Sequence, residues 1–182
     1  KLFKHIILVT NNKSHVKNKY LSKIKILKGG NERSDSSLIA LKFAKKLKSK
    51  NVLIHDAARP NFTLNLIKKI LSSLKKNNAV VPYINANDSI KYNYKNFTYN
   101  LERKKAYLTQ TPQGFKIKKL IKFAIADKDK VQDEASLFIK NNSKIKFIKG
   151  EINNNKITYL NDIKSIYSSY GLGFDVHRLV TG

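Results

Sequence analysis

Apolar residues fall along this chain in two rhythms: short solid runs, and longer segments in which they recur every three or four positions. The solid runs predict buried strands at residues 5–9 (His-Ile-Ile-Leu-Val), 52–54 (Val-Leu-Ile), 79–82 (Ala-Val-Val-Pro) and 145–148 (Ile-Lys-Phe-Ile). Residues 23–27 alternate Lys-Ile-Lys-Ile-Leu, a further strand with one wetter face. The spaced segments predict helices. One is capped by Ser34 or Asp35 and turns Leu38, Leu41, Ala44 and Leu47 inward. A second, over 63–75, buries Leu66, Ile67, Ile70, Leu71 and Leu74, and a third, over 116–126, buries Ile117, Leu120, Ile121, Ala124 and Ile125. Another opens at Gln132-Asp133-Glu134-Ala135-Ser136, and a last one covers 161–170, capped by Asn161 or Asp162. Residues 10–20 are polar, a loop with a short helix. Strand and helix alternating at these distances predict an α/β fold with a parallel sheet and right-handed crossovers.

Between 87 and 110 the rhythm changes. Short alternating runs at 89–92, 97–101 and 106–109, with a turn at 93–96, predict a β-hairpin arm inserted in the α/β sheet. Its tyrosines and phenylalanine cannot be covered by the arm alone, so it is expected to pack against a second subunit. Arg103 lies at the returning end.

Composition narrows the class. A chain of 182 residues suits one domain, and 41% hydrophobic residues with no apolar run near 18 make it globular and not membrane-spanning. No signal-peptide pattern opens it. Cysteine is absent, which excludes disulfide and thiolate chemistry and suits a cytoplasmic protein. Methionine is absent too, even at position 1, so Lys1 is expected not to be the native start. The net charge of +25 suggests a nucleic-acid-binding module, but the lysines are scattered over helix faces, and a general bias toward Lys and Asn accounts for them. Only Arg33, Arg59, Arg103 and Arg178 are arginines. In a lysine-rich chain, a surviving arginine points to a place that needs the rigid, bidentate fork.

Each arginine sits in a compact polar motif. The 52–54 strand runs into His55-Asp56-Ala57-Ala58-Arg59-Pro60, which puts Asp56 and Arg59 beyond a strand's carboxyl end, where α/β sheets bind ligands; a polar turn with a surface ion pair would look the same. Gly29-Gly30-Asn31-Glu32-Arg33-Ser34-Asp35-Ser36 is a glycine turn opening a helix, able to bring backbone N–H groups close to an anion or a base edge, or simply to connect two elements. Thr109-Gln110-Thr111-Pro112-Gln113-Gly114-Phe115 gathers hydroxyls and amides where the chain re-enters the sheet. Asp133 and Glu134 fit either helix capping or a site. Asp175 and His177, two apart, would share one face of a strand and could share a metal.

Taken together, Gly-Gly-Asn-Glu-Arg-Ser-Asp-Ser, His-Asp-Ala-Ala-Arg-Pro, Gln-Thr-Pro-Gln-Gly-Phe, Asp-Glu-Ala-Ser and Asn-Lys-Ile-Thr, in this order, resemble the 2-C-methyl-D-erythritol 4-phosphate cytidylyltransferase family from about residue 5 to 168. The resemblance implies a Rossmann-like nucleotidyltransferase sheet with an inserted β-hairpin arm that locks a homodimer. It also implies the reaction of CTP with methylerythritol phosphate, with Mg2+, to give CDP-methylerythritol and pyrophosphate in non-mevalonate isoprenoid biosynthesis. Carried over by motif, Gly30, Asn31 and Ser36 would bind CTP. Asp56, Arg59, Ser89, Thr111 and Gln132 would bind the second substrate, and Arg103 and Lys156 would position its phosphate, Arg103 serving the neighbouring subunit through the arm. Ser89 and Gln132 stand where the family commonly has threonine, and Asn31 where it often has aspartate; serine keeps the hydroxyl, glutamine exchanges it for an amide.

Nothing before Gly29 matches the family's opening glycine-rich loop with its Arg and Lys, so the chain is expected to start after that loop and to have little activity as it stands. Gly171-Leu172-Gly173-Phe174-Asp175-Val176-His177-Arg178 resembles the opening of 2-C-methyl-D-erythritol 2,4-cyclodiphosphate synthase, in which Asp175 and His177 would be two of the ligands of a Zn2+. The expected organisation is a cytidylyltransferase domain over 1–168, with its arm at about 87–110, and the start of a synthase domain over 169–182, cut from a bifunctional enzyme. Asp56-Ala-Ala-Arg59 with Thr111-Pro-Gln argues against a sugar-nucleotide pyrophosphorylase of similar fold.

Overall fold

The solid apolar runs become strands and the spaced segments become helices. The computed structural model describes residues 2–12, 22–127 and 133–166. Its strands are β1 (Ile7–Val9), β2 (Lys25–Leu27), β3 (Asn51–Ile54), β4 (Ala79–Asn85), β5 (Ile90–Tyr94), β6 (Phe97–Leu101), β7 (Tyr107–Thr109), β8 (Gln113–Lys116) and β9 (Lys146–Lys149). Its helices are α1 (Arg33–Lys46), α2 (Leu64–Leu74), α3 (Ile117–Ala126), α4 (Glu134–Lys140) and α5 (Leu160–Ile166), with a 3-10 turn at Arg103–Lys105.

The sheet is built on β4, whose first four residues are buried on both faces, as a strand between two helix layers requires. β9 lies parallel along one edge, from Val80↔Lys146 to Tyr83↔Lys149. The segment 107–116 lies antiparallel along the other, with β7 pairing Tyr83↔Thr109 and β8 pairing Val80↔Gly114. β8 continues the sheet to β3 through Val52↔Phe115 and Leu53↔Gly114. The expected parallel arrangement is therefore corrected: β3 and β4 run the same way, but antiparallel β8 lies between them. Gln-Gly-Phe-Lys has little strand character of its own, and it becomes a strand because both neighbours offer it ladder partners. β1 and β2 form a separate parallel pair, and among the described residues β1 pairs with β2 alone and β3 with β8 alone.

Alternation along the strands sends side chains to two cores. On one face Ala79 and Phe115 meet Leu41 and Ala44 of α1, Leu120 and Ile121 of α3 and Phe138 of α4. Phe138 stacks on Phe115 at 5.4 Å between ring centroids and meets the edge of Phe123 at 5.2 Å. On the other face Val80 packs under Leu66, Ile70 and Leu74 of α2, joined by Leu53 and Ile148. Residue 114 must be glycine for α2 to approach, since a Cβ there would lie 2.5 Å from Ile70 Cγ2.

Two helix details differ from expectation. α1 begins earlier than a Ser34 or Asp35 cap allows: Glu32 is the N-cap, and Asp35 Oδ2 reaches back to its N–H at 3.2 Å. In α3, Phe123 is buried and Ile125 is exposed, because α4 covers the Phe123 side with Phe138. The arm is a regular hairpin, Ile90↔Leu101 to Tyr94↔Phe97, closed by Lys95 and Asn96 with φ of 46° and 66°, as a two-residue turn of the primed type demands. Tyr107–Thr109, expected in the arm, belongs to the central sheet instead.

Candidate active site

Where β3 ends, Asp56 is held by its neighbours before any ligand is considered. Its backbone N–H donates to Thr111 Oγ1 at 3.1 Å, and Thr111 Oγ1 lies 3.2 Å from His55 Nδ1. His55 Nε2 lies 2.9 Å from the Arg59 carbonyl oxygen. A carbonyl can only accept, so Nε2 carries the proton and Nδ1 accepts from the Thr111 hydroxyl. Burial lowers the His55 pKa below its ordinary value, against the pull of the Arg59 carbonyl and of Asp56, and so keeps the ring neutral. Phe62 covers the ring edge-on at 4.5 Å. Thr111 is buried, and its hydroxyl is committed on both sides.

Arg59 ties this turn to the segment that follows β9. Its Nη1 donates to the Asn154 carbonyl at 2.7 Å, and its Nη2 lies 3.5 Å from that of Thr109. Burial lowers its pKa, opposed by the Asp56 charge. Asn154, fully buried, donates to the Thr111 carbonyl at 2.8 Å, and Gln110 Nε2 donates to the Glu151 carbonyl at 2.8 Å. The Ile157 N–H donates to the Ala58 carbonyl at 2.8 Å. Glu151 accepts the Thr63 N–H at 3.1 Å and the Thr63 hydroxyl. These bonds bring Lys156 beside Asp56, Nζ to Oδ2 at 4.0 Å.

The other carboxylate oxygen of Asp56 faces Arg33, 3.5 Å from Nη2. Arg33 forks onto Glu134, Nη1 to Oε1 at 3.0 Å and Nη2 to Oε2 at 2.9 Å. Glu134 is almost wholly buried, with 3% of its side chain exposed. Burial alone would lower the Arg33 pKa, but the hydrogen bonds and charge of Glu134, with Asp56, raise it on balance. The two readings open for Asp133 and Glu134 thus divide. Asp133 caps α4, accepting the Ser136 N–H at 3.0 Å, while Glu134 turns into the cleft. The sequence marks Arg33 as an arginine wanting a bidentate partner and leaves Glu134 open between cap and site, but it does not pair the two.

The glycine turn forms the other wall. The Gly30 N–H donates to Ser36 Oγ at 3.1 Å, and a Cβ on Gly30 would fall 2.2 Å from Asp35 Cβ, so the turn folds onto the first turn of α1 in a way only glycine permits. Asn31 is exposed on this turn, and Arg33 begins the helix behind it. Arg103 and Ser89 stand apart at the neck of the arm. Arg103 Nη1 donates to the Asn87 carbonyl at 3.1 Å, and Ser89 Oγ accepts from Lys91 Nζ at 2.9 Å. Arg103, Lys104, Asn85, Ala86 and Asn87 line an open depression of about 260 Å³. Gln132, Asp175 and His177 lie outside the described residues. Among the described residues no group of three or more His, Asp or Glu could hold a metal ion, and no helix is long and apolar enough to cross a membrane.

A sheet with helices on both faces, a glycine turn at one helix start and a carboxylate between two cations at a strand's end define a nucleotidyltransferase-like α/β domain. The chain belongs to the 2-C-methyl-D-erythritol 4-phosphate cytidylyltransferase family, whose sequence profile matches residues 1–167. It is 46% identical over 181 residues to a bifunctional enzyme IspD/IspF of Pelagibacter ubique, covering 98% of this chain and 49% of that one. It is 35% identical to the enzyme of the same name from Lawsonia intracellularis, covering 86% of this chain and 42% of that one. The chain therefore spans about half the length of the curated relatives it matches. The bifunctional IspDF structure from Campylobacter jejuni superposes with a TM-score of 0.76 at 29% identity over 89% of this chain and 42% of that one. A 4-diphosphocytidyl-2C-methyl-D-erythritol synthase from Anaerococcus prevotii gives 0.74 at 29% over 87% and 75%. Neither the nucleic-acid module nor the pyrophosphorylase is favoured by these likenesses.

Proposed function

We propose that this chain is the cytidylyltransferase part of a bifunctional enzyme, transferring CMP from CTP to 2-C-methyl-D-erythritol 4-phosphate. The observation that carries the reading is the Asp56 carboxylate, set between Arg33 and Lys156 at 3.5 and 4.0 Å beyond the end of β3. A carboxylate so placed suits a polyol, and a lysine beside it suits that polyol's phosphate. In the reaction a phosphate oxygen of methylerythritol phosphate bonds to the α-phosphorus of CTP. The bond from that phosphorus to the bridging β-oxygen breaks, and pyrophosphate leaves with the electron pair. Such a transfer needs positioning and charge neutralisation more than covalent help.

Gly30, Asn31 and Ser36 hold the cytosine, Asp56 takes the methylerythritol hydroxyls, and Lys156 with Arg103 takes the phosphate. Arg59 and Thr111 act chiefly by fixing the turn that carries Asp56, and Gln132 and Ser89 complete the pocket. Among the described residues no group of three or more His, Asp or Glu could hold a cation, and the Mg2+ expected with CTP would supply neutralisation of charge on the triphosphate. Asp175 and His177 would hold Zn2+ only as part of a complete cyclodiphosphate synthase domain beginning near residue 169. The arm, with Tyr92, Tyr94, Phe97 and Tyr99 exposed, joins two copies into a homodimer and carries Arg103 to the partner's cleft. The location that fits is the cytoplasm.

The test is calorimetric titration of the chain with methylerythritol phosphate and, separately, CTP. Methylerythritol phosphate is expected to bind, and Asp56→Ala to weaken it at least tenfold. Absence of binding, or binding untouched by Asp56→Ala, would overturn the reading.

A further inference from the structure

Arg33 enters above only as a cation beside Asp56 and Glu134 has no role there, yet the two form a bidentate pair that a surface contact would not need. Arg33 is the first residue of α1, at the positive end of the helix dipole, where a cation is disfavoured. Glu134 is the first residue of α4, where a carboxylate is favoured, and it meets Arg33 with both oxygens at 3.0 and 2.9 Å. The geometry uses the arginine fork in a way no lysine could reproduce.

The remaining reach of that fork is toward Asp56, with Nη2 at 3.5 Å from Oδ1. Lys156, the other cation on Asp56, is the looser partner at 4.0 Å and is half exposed, whereas Glu134 fixes Arg33 from behind. When Lys156 turns to a substrate phosphate, Asp56 loses one of its two cations. A carboxylate left without a second partner at a cleft wall is free to turn away from the position its ligand needs. Arg33 stays, because Glu134 holds it.

We propose that Arg33 and Glu134 are positioning residues: Glu134 orients the Arg33 fork, and Arg33 keeps the Asp56 carboxylate aimed at the polyol while Lys156 engages the phosphate. This rests on the assignment of Asp56 and Lys156 to methylerythritol phosphate. Arg33 also begins the helix behind the Gly30 turn, so the same pair connects the two substrate walls.

The experiment is a double-mutant cycle read by calorimetry with methylerythritol 4-phosphate as titrant and by thermal melting. Arg33→Lys keeps the charge and loses the fork, and it is expected to weaken binding about tenfold. Glu134→Gln keeps the shape and is expected to do nearly the same. The double variant should be little worse than either, because the two act as one unit. In an Asp56→Ala background, Arg33→Lys should change the residual affinity by less than twofold. A merely structural pair would give a different pattern: lower melting temperatures, with affinity in the folded protein unchanged, or an equal loss with and without Asp56. Either result overturns the proposal while leaving the functional reading intact. If the unaltered chain binds no methylerythritol phosphate, that reading falls and the proposal falls with it.

Discussion

Phe115 in β8 and Phe97 in β6 are the same residue in strands of similar length, yet the first is wholly buried and the second is 67% exposed. β8 has a strand on each edge and helices over both faces, so Phe115 is covered by Phe138 from α4 and flanked by β3 and β4. Among the described residues β6 pairs with β5 alone, and all five of its residues are exposed. Hairpins of two strands are marginal on their own in water. The body holds itself together through contacts within one chain, while the arm has the regular geometry of a stable element without the burial that would stabilise it.

The sharpest way to test that contrast is to truncate an aromatic in the body. Phe138 touches both Phe115 and Phe123, and its ring is fully buried. Phe138→Ala is expected to cost about 3–5 kcal/mol, the range for emptying a core aromatic site. Urea unfolding of the variant against the unaltered chain measures it. A loss below ~1 kcal/mol would mean that α4 does not close the core around the sheet.

How far these two regions can be read from the sequence follows the same division. The arm is legible because hairpin pairing and its turn are local: alternation on both sides of Asn93 to Asn96 specifies it. β3, β4 and α2 are legible because Val52 to Ile54, Ala79 to Pro82 and Leu66 to Leu74 carry their own apolar patterns. β8 is not, since Gln113-Gly114-Phe115-Lys116 becomes a strand only between β3 and β4. The site divides likewise. Asp56 and Lys156 sit in recognisable motifs, but the bond from Arg33 to Glu134 joins residues far apart in the chain, and no local pattern reports such a contact. Burial of Phe123 in place of Ile125 was missed for the same reason, because the covering helix α4 comes later in the chain.

A smaller effect separates the regions by pH. The cleft end of the body relies on a neutral His55, and the arm contains no histidine. Because burial lowers the folded-state pKa of His55, the unfolded chain binds the proton more readily. Stability is therefore full above the ordinary histidine value of about 6.5 and declines as pH falls through it toward the lowered value. The melting temperature should drop between pH 7.5 and 5.5, and His55→Gln should flatten that slope. An unchanged slope in His55→Gln would show that the imidazole does not hold the turn of Asp56.

The smallest expected effect on the fold is the one that bears on the arm. Phe97 lies next to the hairpin turn, paired with Tyr94 and 67% exposed, so Phe97→Ser removes little covered surface within the chain. Unfolding stability of the monomer should change by no more than ~0.5 kcal/mol, as for a surface substitution. Association should respond very differently. If Phe97, Tyr94 and Tyr99 are covered only by a second copy, replacing the most exposed ring with a hydroxyl removes apolar area at that contact and adds a polar group to it. Sedimentation over a range of concentrations should then show a dimer dissociation constant at least tenfold higher. The two readouts must move apart for the contrast to hold. A substantial loss of monomer stability would place the arm against its own body, and an unchanged dissociation constant would leave the arm solvated in the assembly as well.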